Sequence, residues 1–293
     1  MAGLVVERAG LRTLVQDLGR PGLASLGISA SGAWDRAAFA LANRIIGNAP
    51  GLACLEVVLG QLAVRAVDGD LLVALTGAPC PLTVDGRPVD AFSPVLLRAG
   101  QLLEVGQPVV GLRSYLAAHG GLDLPPVFNS RSCDPTRGIG PAVLQAGDLV
   151  PVGARGGRTI VASDLCVTST AQRDELTLRA VWGPRQDWFT AAAHQLFTGT
   201  AWQVTSESDR VGTRLSGPAL ERAVDGELTS EAVVRGSVQV PSSGQPLVFG
   251  PDHPTTGGYP VIVVVDGPDA DLLAQARPGQ TVRFAVSRPR ILA

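Results

Sequence analysis

Leu55-Glu56-Val57-Val58-Leu59-Gly60, an alternating run, and then Gly69-Asp70-Leu71-Leu72-Val73 form a stretch that has a counterpart later in the chain. The counterpart is Ser230-Glu231-Ala232-Val233-Val234-Arg235-Gly236, Ser237-Val238-Gln239-Val240 and Gly244-Gln245-Pro246-Leu247-Val248. Glu56 and Glu231 lie 175 residues apart. Further out, Ala99-Gly100-Gln101-Leu102-Leu103 resembles Pro278-Gly279-Gln280-Thr281-Val282 at an offset of 179, and Leu4–Gly10 aligns loosely with Leu178–Gly183. Three anchors in the same order at nearly one offset point to two related β units in tandem.

Both halves are rich in strand signals. Leu62–Arg65, Leu71–Leu75, Val95–Leu97 and Leu102–Val105 carry Leu and β-branched residues between Gly and Pro breaks, as do Ser237–Val240, Leu247–Phe249, Val261–Val265 and Val282–Val286. Val261–Val265 is apolar throughout and is expected to be buried on both faces. Helices are few. Asp35 is placed to cap Arg36–Ile46, with Gly47 closing it, a second helix is expected over about Gln186–Leu196, and a short third one from near Asp269 to Pro278-Gly279. The fold class is therefore mainly β, with the first unit over 1–165 and the second over 175–293. Polar Ser163–Asp174 is the candidate linker.

Composition supports a folded β protein and excludes several activities. The chain has 293 residues, of which 45% are apolar and 17% charged, so a large core can form. Gly 35 and Pro 22 favour many short strands and turns. The net charge is −2 with no basic run, which argues against nucleic acid as a partner. All 24 basic residues are Arg. Without Lys there is no Schiff base, no pyridoxal-phosphate site, no P-loop lysine and no biotinyl-lysine on this chain. The four cysteines and three histidines are scattered, so no metal site is expected. No apolar run is long enough for a signal peptide or a membrane span, and the expectation is a cytoplasmic protein.

Four stretches could carry chemistry. Pro251-Asp252-His253-Pro254-Thr255-Thr256-Gly257-Gly258-Tyr259-Pro260 offers an acid, an imidazole, two hydroxyls, a phenol and a glycine pair just before an apolar strand. It reads either as a ligand-facing loop or as a Gly/Pro turn closed by Thr–backbone bonds. Ser208-Asp209-Arg210 places a guanidinium fork suited to carboxylate or phosphate, or else a solvated turn. Thr13–Asp35 sets polar groups and glycines ahead of a helix start, where free N–H groups attract anions, or is a long loop ending in an N-cap. Ser130-Arg131-Ser132 adds a further Arg among hydroxyls. Glu56 and Glu231 read as one catalytic carboxylate or as a turn-binding carboxylate in each unit.

Taken in order, these motifs resemble the allophanate hydrolase subunit 2, or biotin-dependent carboxyltransferase, family, which includes the C-type subunit of 5-oxoprolinase and KipA-like proteins. The resembling residues include Gln16-Asp17-Leu18-Gly19-Arg20, Ser31-Gly32 with Asp35, Ala42-Asn43, Leu55-Glu56, Arg113-Ser114-Tyr115-Leu116-Ala117 and Ser130-Arg131-Ser132. They continue with Gly183-Pro184, Ser208-Asp209-Arg210, Gly236–Pro241 and Thr255–Pro260, so nearly the whole chain is covered. Cys133 stands where relatives often carry Thr, and Val261 where some carry a basic residue.

The resemblance implies two cyclophilin-like β-barrel units and pairing with a subunit 1 (KipI-like) homologue. One branch of the family transfers carboxyl groups from carboxybiotin, as in urea carboxylation. Another joins a homologue of the A-type 5-oxoprolinase subunit in the ATP-dependent opening of 5-oxo-L-proline to L-glutamate, and a third regulates by binding. The absence of a fused biotin carrier favours the 5-oxoprolinase branch. That reading implies ATP with Mg as co-substrate, at the interface with the partner since no phosphate loop is visible. It makes Asp252, Arg210 and Tyr259 the expected catalytic groups. Asp35, Asn43, Arg131, Ser208, Asp209, Gln239, Thr255, Thr256, Gly257 and Gly258 are the expected substrate-binding groups. Arg210→Ala is expected to lose ATP-coupled turnover with folding intact.

Overall fold

The apolar runs between Gly and Pro breaks become short, almost wholly antiparallel strands. A computed structural model describes residues 2–154 and 174–287. The candidate linker therefore lies outside the described residues, apart from Asp174. Among the described residues, one unit comprises 2–20 and 31–154 and the other 21–30 and 174–287.

The first unit holds two sheets. One has the order Leu149–Pro151, Gly3–Ala9, Leu62–Val67, Leu102–Val105, Leu82–Val84, Arg87–Val89. The other runs Arg12–Gln16, Cys54–Val58, Arg113–Ala118, Leu71–Gly77, Val95–Leu97. Side chains alternate along a strand, and here the alternation assigns each residue to a layer. Leu4, Val6, Leu62 and Val64 from the first sheet share one core with Leu55, Val57, Val73, Leu75 and Leu116 from the second. The opposite face of the second sheet presents Cys54, Ala74, Tyr115 and Ala117 to the helix α1 (Arg36–Ile45) through Phe39, Ala42 and Ile45. Arg113–Ala118 is consequently buried at every position.

Asp35 caps α1 as expected, its side chain accepting from the Ala38 N–H at 2.9 Å, and Gly47 just beyond the helix takes φ 73°. Phe39 meets the Tyr115 ring edge-on at 6.3 Å between centroids, a favoured aromatic arrangement.

The second unit is a closed barrel of seven strands. Its order is Glu175–Trp182, Val261–Val265, Ser237–Gln239, Leu247–Phe249, Gly212–Ser216, Trp202–Val204, Thr281–Ser287, and the last pairs in parallel with the first. Closure leaves no open edge. Val261, Ile262, Val263 and Val265 are buried, and Val264 is partly covered.

The expected second helix is broken. Gln186–Trp188 forms a single 3₁₀ turn, and Phe189 is extended at φ −119° and ψ 147°. Thr190 then caps a new helix, α2 (Ala191–Gly199), by accepting from the Ala193 N–H. Its Phe197 stacks on Phe284 at 4.5 Å. The third helix, α3 (Gly267–Leu272), starts earlier than expected with a Pro in its first turn, and continues as a 3₁₀ turn over Leu273–Gln275.

The repeated segments form strands in both units, but their neighbours differ. Leu62–Val67 and Leu71–Gly77 lie in different sheets, whereas their counterparts Ser237–Gln239 and Leu247–Phe249 pair directly. The connections account for this. Asp68 and Gly69, both at positive φ, turn the chain from one sheet to the other, while the longer link containing Gly244 folds back as a hairpin. Among the described residues no helix is long and apolar enough to cross a membrane.

Candidate functional site

In the second unit the site is built at the start of the buried strand Val261–Val265. Val261–Val265 must enter the barrel, so the Gly-Gly-Tyr-Pro segment before it is held where it begins. Thr256–Gly257 pairs with Glu231–Ala232 in a two-stranded ribbon, and the Thr255 carbonyl accepts from the Val233 N–H. Buried Gln239 donates from Nε2 to the Tyr259 carbonyl at 2.9 Å. A Cβ at Gly257 would lie 2.4 Å from Gln239 Nε2, so a larger residue there would have to displace the Gln239 amide. Gly258 follows, and the Tyr259 ring stands 48% exposed. Gln239, Thr255, Thr256, Gly257, Gly258 and Tyr259 are thus brought together.

Arg210 and Asp252 are also brought together, but on each other. Arg210 Nε and Nη2 meet Asp252 Oδ2 and Oδ1 at 2.7 and 3.0 Å, with the side chains 3% and 0% exposed. Both atoms of the Asp252 carboxylate are engaged by this bidentate fork, which ties the loop to the Arg210 segment. Arg210→Ala would leave the buried Asp252 carboxylate without this partner, so a loss of folding stability is expected beside any loss of turnover. Asp209 is exposed and closes a turn by accepting from the Val211 and Gly212 N–H groups, and the Ser208 hydroxyl accepts from the Arg214 N–H. The guanidinium at the loop surface belongs instead to Arg185, which forms a bidentate pair with Glu231 while remaining 36% exposed. The Arg185 hydrogen bonds hold the Glu231 carboxyl below the ordinary range.

In the first unit, Gln16-Asp17-Leu18-Gly19-Arg20 and Ser130-Arg131-Ser132 meet. Asp17 Oδ1 accepts from the Gly19 N–H at 2.7 Å, the Ser130 hydroxyl at 2.7 Å and the Ser132 hydroxyl at 2.6 Å, while Oδ2 accepts from the Arg131 N–H at 2.6 Å. Arg20 donates to the Ser132 carbonyl and Gln16 Nε2 to the Cys133 carbonyl. Arg131, 32% exposed, extends its guanidinium to the Leu124 carbonyl and Asp123.

A second buried network centres on Glu56. Its Oε2 accepts from the Trp34 N–H and the Tyr115 hydroxyl, Arg113 Nε lies 3.5 Å from Oε1, and Arg113 stacks 4.2 Å from the Trp34 ring centroid. Burial first, then the Glu56 charge, raises the Tyr115 phenol well above its usual value. The Tyr115 oxygen in turn accepts from the Asp35 N–H. Glu56 and Glu231, matched in the sequence repeat, therefore sit in different settings with different partners: Glu56 is buried in the five-stranded sheet, Glu231 half-exposed in the two-stranded ribbon. Asn43 is fully buried, donating to the Leu52 carbonyl and accepting from Asn48, and Asp35 serves α1 as its cap.

Residues 26–286 match the model of the carboxyltransferase domain, subdomain A and B. The chain belongs to that family. It is 40% identical over 284 residues to the C-type subunit of 5-oxoprolinase from Escherichia coli K12, covering 96% of this chain and 90% of the relative. Among solved structures it resembles K. lactis urea amidolyase, at 26% identity and TM-score 0.89 over 97% of this chain and 18% of that one. It also resembles TTHA0988, at 34% identity and TM-score 0.86 over 97% of this chain and 56% of that one.

Within this carboxyltransferase-family chain, the sequence reading left Asp17, Arg185 and Tyr115 out of the site. Asp17 lies within the candidate stretch Thr13–Asp35 without being singled out, Tyr115 appears only in a motif that the resemblance quotes, and nothing marks Arg185 beyond the adjacent Gly183-Pro184. No set of three or more His, Cys, Asp or Glu side chains that could hold a metal ion occurs among the described residues.

Proposed function

We propose that this chain is the C-type component of an ATP-dependent 5-oxoprolinase, opening 5-oxo-L-proline to L-glutamate with a subunit 1-type partner and an A-type 5-oxoprolinase homologue in the cytoplasm. The observation carrying this reading is the 40% identity to a 5-oxoprolinase component over nine-tenths of both chains. The chemistry needs cationic help. A lactam is a resonance-stabilised amide, and ATP supplies the activation for opening it, so phosphate and carboxylate charge must be held.

Arg185 and Arg131 fit that task better than Arg210. Their guanidiniums reach solvent at 36% and 32% exposure, and each is held by a carboxylate partner. The guanidinium fork matches carboxylate and phosphate alike. The Tyr259 phenol is the exposed hydroxyl beside Arg185's partner strand and is assigned to proton transfer or substrate orientation. Gln239, Arg210 and Asp252 position the loop that carries it. Reconstitution with the two partners tests this reading. Glutamate release from 5-oxoproline is expected to fall at least ~100-fold when Arg185 is changed to Leu, the scale of losing one charge-stabilising donor.

A carboxyltransferase component of a biotin-dependent urea carboxylase is the second reading, favoured by the match to K. lactis urea amidolyase. Decay of carboxybiotin that depends on this chain and on urea would support it.

A further inference from the structure

In the second unit, Arg222 lies opposite Phe189 in an isolated antiparallel bridge. The flanking bonds run from the Thr190 N–H to the Glu221 carbonyl at 3.4 Å and from the Ala223 N–H to the Trp188 carbonyl at 2.8 Å. Directly opposed residues share one face of such a pair. Phe189 is buried, and the Arg222 side chain is drawn to the covered side with it, so that its Nε is buried too. Glu221 and Ala223, on either side, are exposed.

Arg222 reaches the segment that carries Tyr259. Its Nη2 donates to the Val240 carbonyl at 2.9 Å, and the Val240 N–H donates to the Pro260 carbonyl at 3.1 Å. Gln239, the residue before Val240, holds the Tyr259 carbonyl. Arg185 joins the same segment through its backbone N–H, which donates to the Val261 carbonyl at 3.2 Å. Tyr259-Pro260-Val261 is thus tied to both arginines.

The bonding of Arg222 is incomplete. A guanidinium carries five N–H donors. Among the described residues, Arg222 makes the one hydrogen bond to Val240, its buried Nε has no partner, and it forms no ion pair. By contrast, the covered guanidiniums of Arg210 and Arg235 sit on Asp252 and Asp271. A buried N–H without an acceptor and a covered charge without a counter-charge both cost stability. A guanidinium kept on those terms beside the Tyr259 segment is completed by an anion from outside the chain. One uncompensated positive charge matches one carboxylate, whereas a phosphate group, with a charge of about −2, needs more.

We infer that Arg222 binds the carboxylate of the substrate through its Nη1/Nη2 end, and so makes the site select a carboxylate-bearing lactam over a neutral one. The inference rests on the 5-oxoprolinase reading above and assigns the substrate's own charge to this side chain. Arg185 then remains for phosphate.

The complex reconstituted with both partners supplies three constants: KM for 5-oxoproline, KM for ATP, and the inhibition constant of 2-pyrrolidinone, the same ring without the carboxylate. Arg222→Met, Arg222→Lys and Arg214→Met are compared with wild type. Arg214 is exposed on the strand Gly212–Ser216, so its substitution removes one positive charge elsewhere on the same barrel. Arg222→Met is expected to raise KM for 5-oxoproline at least ~10-fold, the scale of one charged hydrogen bond. The other two constants are expected to stay within about twofold of wild type, because only binding of the carboxylate is lost. Arg222→Lys keeps the charge without the fork and is expected to raise the same KM ~3-fold or more. It carries the test if the Met variant does not assemble. Arg214→Met is expected to behave as wild type.

A wild-type KM for 5-oxoproline in the assembled Arg222 variants would overturn the inference. So would a weakening shared equally by 5-oxoproline and 2-pyrrolidinone, which is what a purely structural arginine gives. A raised KM for ATP alone would make Arg222 a phosphate contact and also overturn it. Absence of glutamate release from the wild-type complex would instead bring down the 5-oxoprolinase reading, and the inference with it.

Discussion

At the residue scale, the chemistry expected of single side chains depends on what each one already holds. Arg210 and Asp252 satisfy each other in a buried fork. Removing one partner leaves the other charge buried, so Asp252→Ala is expected to destabilise the fold by about 3–5 kcal/mol. The apolar pair Arg210→Met with Asp252→Leu should recover most of that, read from urea denaturation midpoints. A purely catalytic role would instead leave both midpoints unchanged.

Asp269 gives a pH-dependent counterpart. Its carboxyl accepts from the Arg179 backbone N–H at 2.7 Å and from the Arg179 guanidinium, and these bonds, opposed by desolvation, hold it below the ordinary aspartate range. Folding therefore favours the charged form. The contribution is complete above the unfolded-state value near pH ~4 and is lost as pH falls through the lowered folded value. Asp269→Asn is expected to lower stability at neutral pH by about 1–2 kcal/mol, with the gap narrowing toward pH ~3 in denaturation series.

The residues of these pairs were legible as chemistry, but their pairing was not. Arg210 and Asp252 stand 42 positions apart, and nothing in either local pattern says that the fork is already occupied. Asp17 was overlooked for the same reason, since its four donors come mainly from a segment more than a hundred residues away. The capping role of Asp35 was legible because capping is a local event, decided within three residues.

At the scale of elements, burial explains which strands were visible. Runs such as Val261–Val265 and Leu71–Leu75 announce themselves by unbroken apolar character. The central strand Arg113–Ala118 does not, because it begins with Arg and Ser and still lies wholly buried. Ser114 and Tyr115 find their partners only in three dimensions. Ser114 donates to the Ala78 carbonyl at 2.9 Å, and the Tyr115 hydroxyl donates to Glu56. The break at Phe189 was hidden too, since the apolar spacing continues across it while Thr190 restarts the helix.

Helix α1 depends on the same buried strand. Phe39 is fully buried against Tyr115, so Phe39→Ala is expected to cost about 3–5 kcal/mol through lost burial and a residual cavity. The loss should appear in the denaturation midpoint together with faster hydrogen exchange in Arg36–Ile45. A variant within experimental error of wild type would mean that α1 contributes little to the first unit.

At the scale of the whole molecule, the mainly β architecture and the family were legible, because they rest on motifs spread along nearly the entire chain. The repeat marked matching strand segments, but not their pairing, which is set by the turns joining them. The proposed substrate, ATP and partners would be properties of an assembly, and no motif in this chain spells them out. The central claim is accordingly tested by titration. This chain is added to fixed amounts of the subunit 1-type and A-type partners with ATP and 5-oxoproline, and glutamate release is followed. The 5-oxoprolinase account predicts release that is negligible without this chain and rises to a plateau at a fixed ratio to its partners. Release that is unchanged by adding the folded chain, or absent at every ratio, would contradict it.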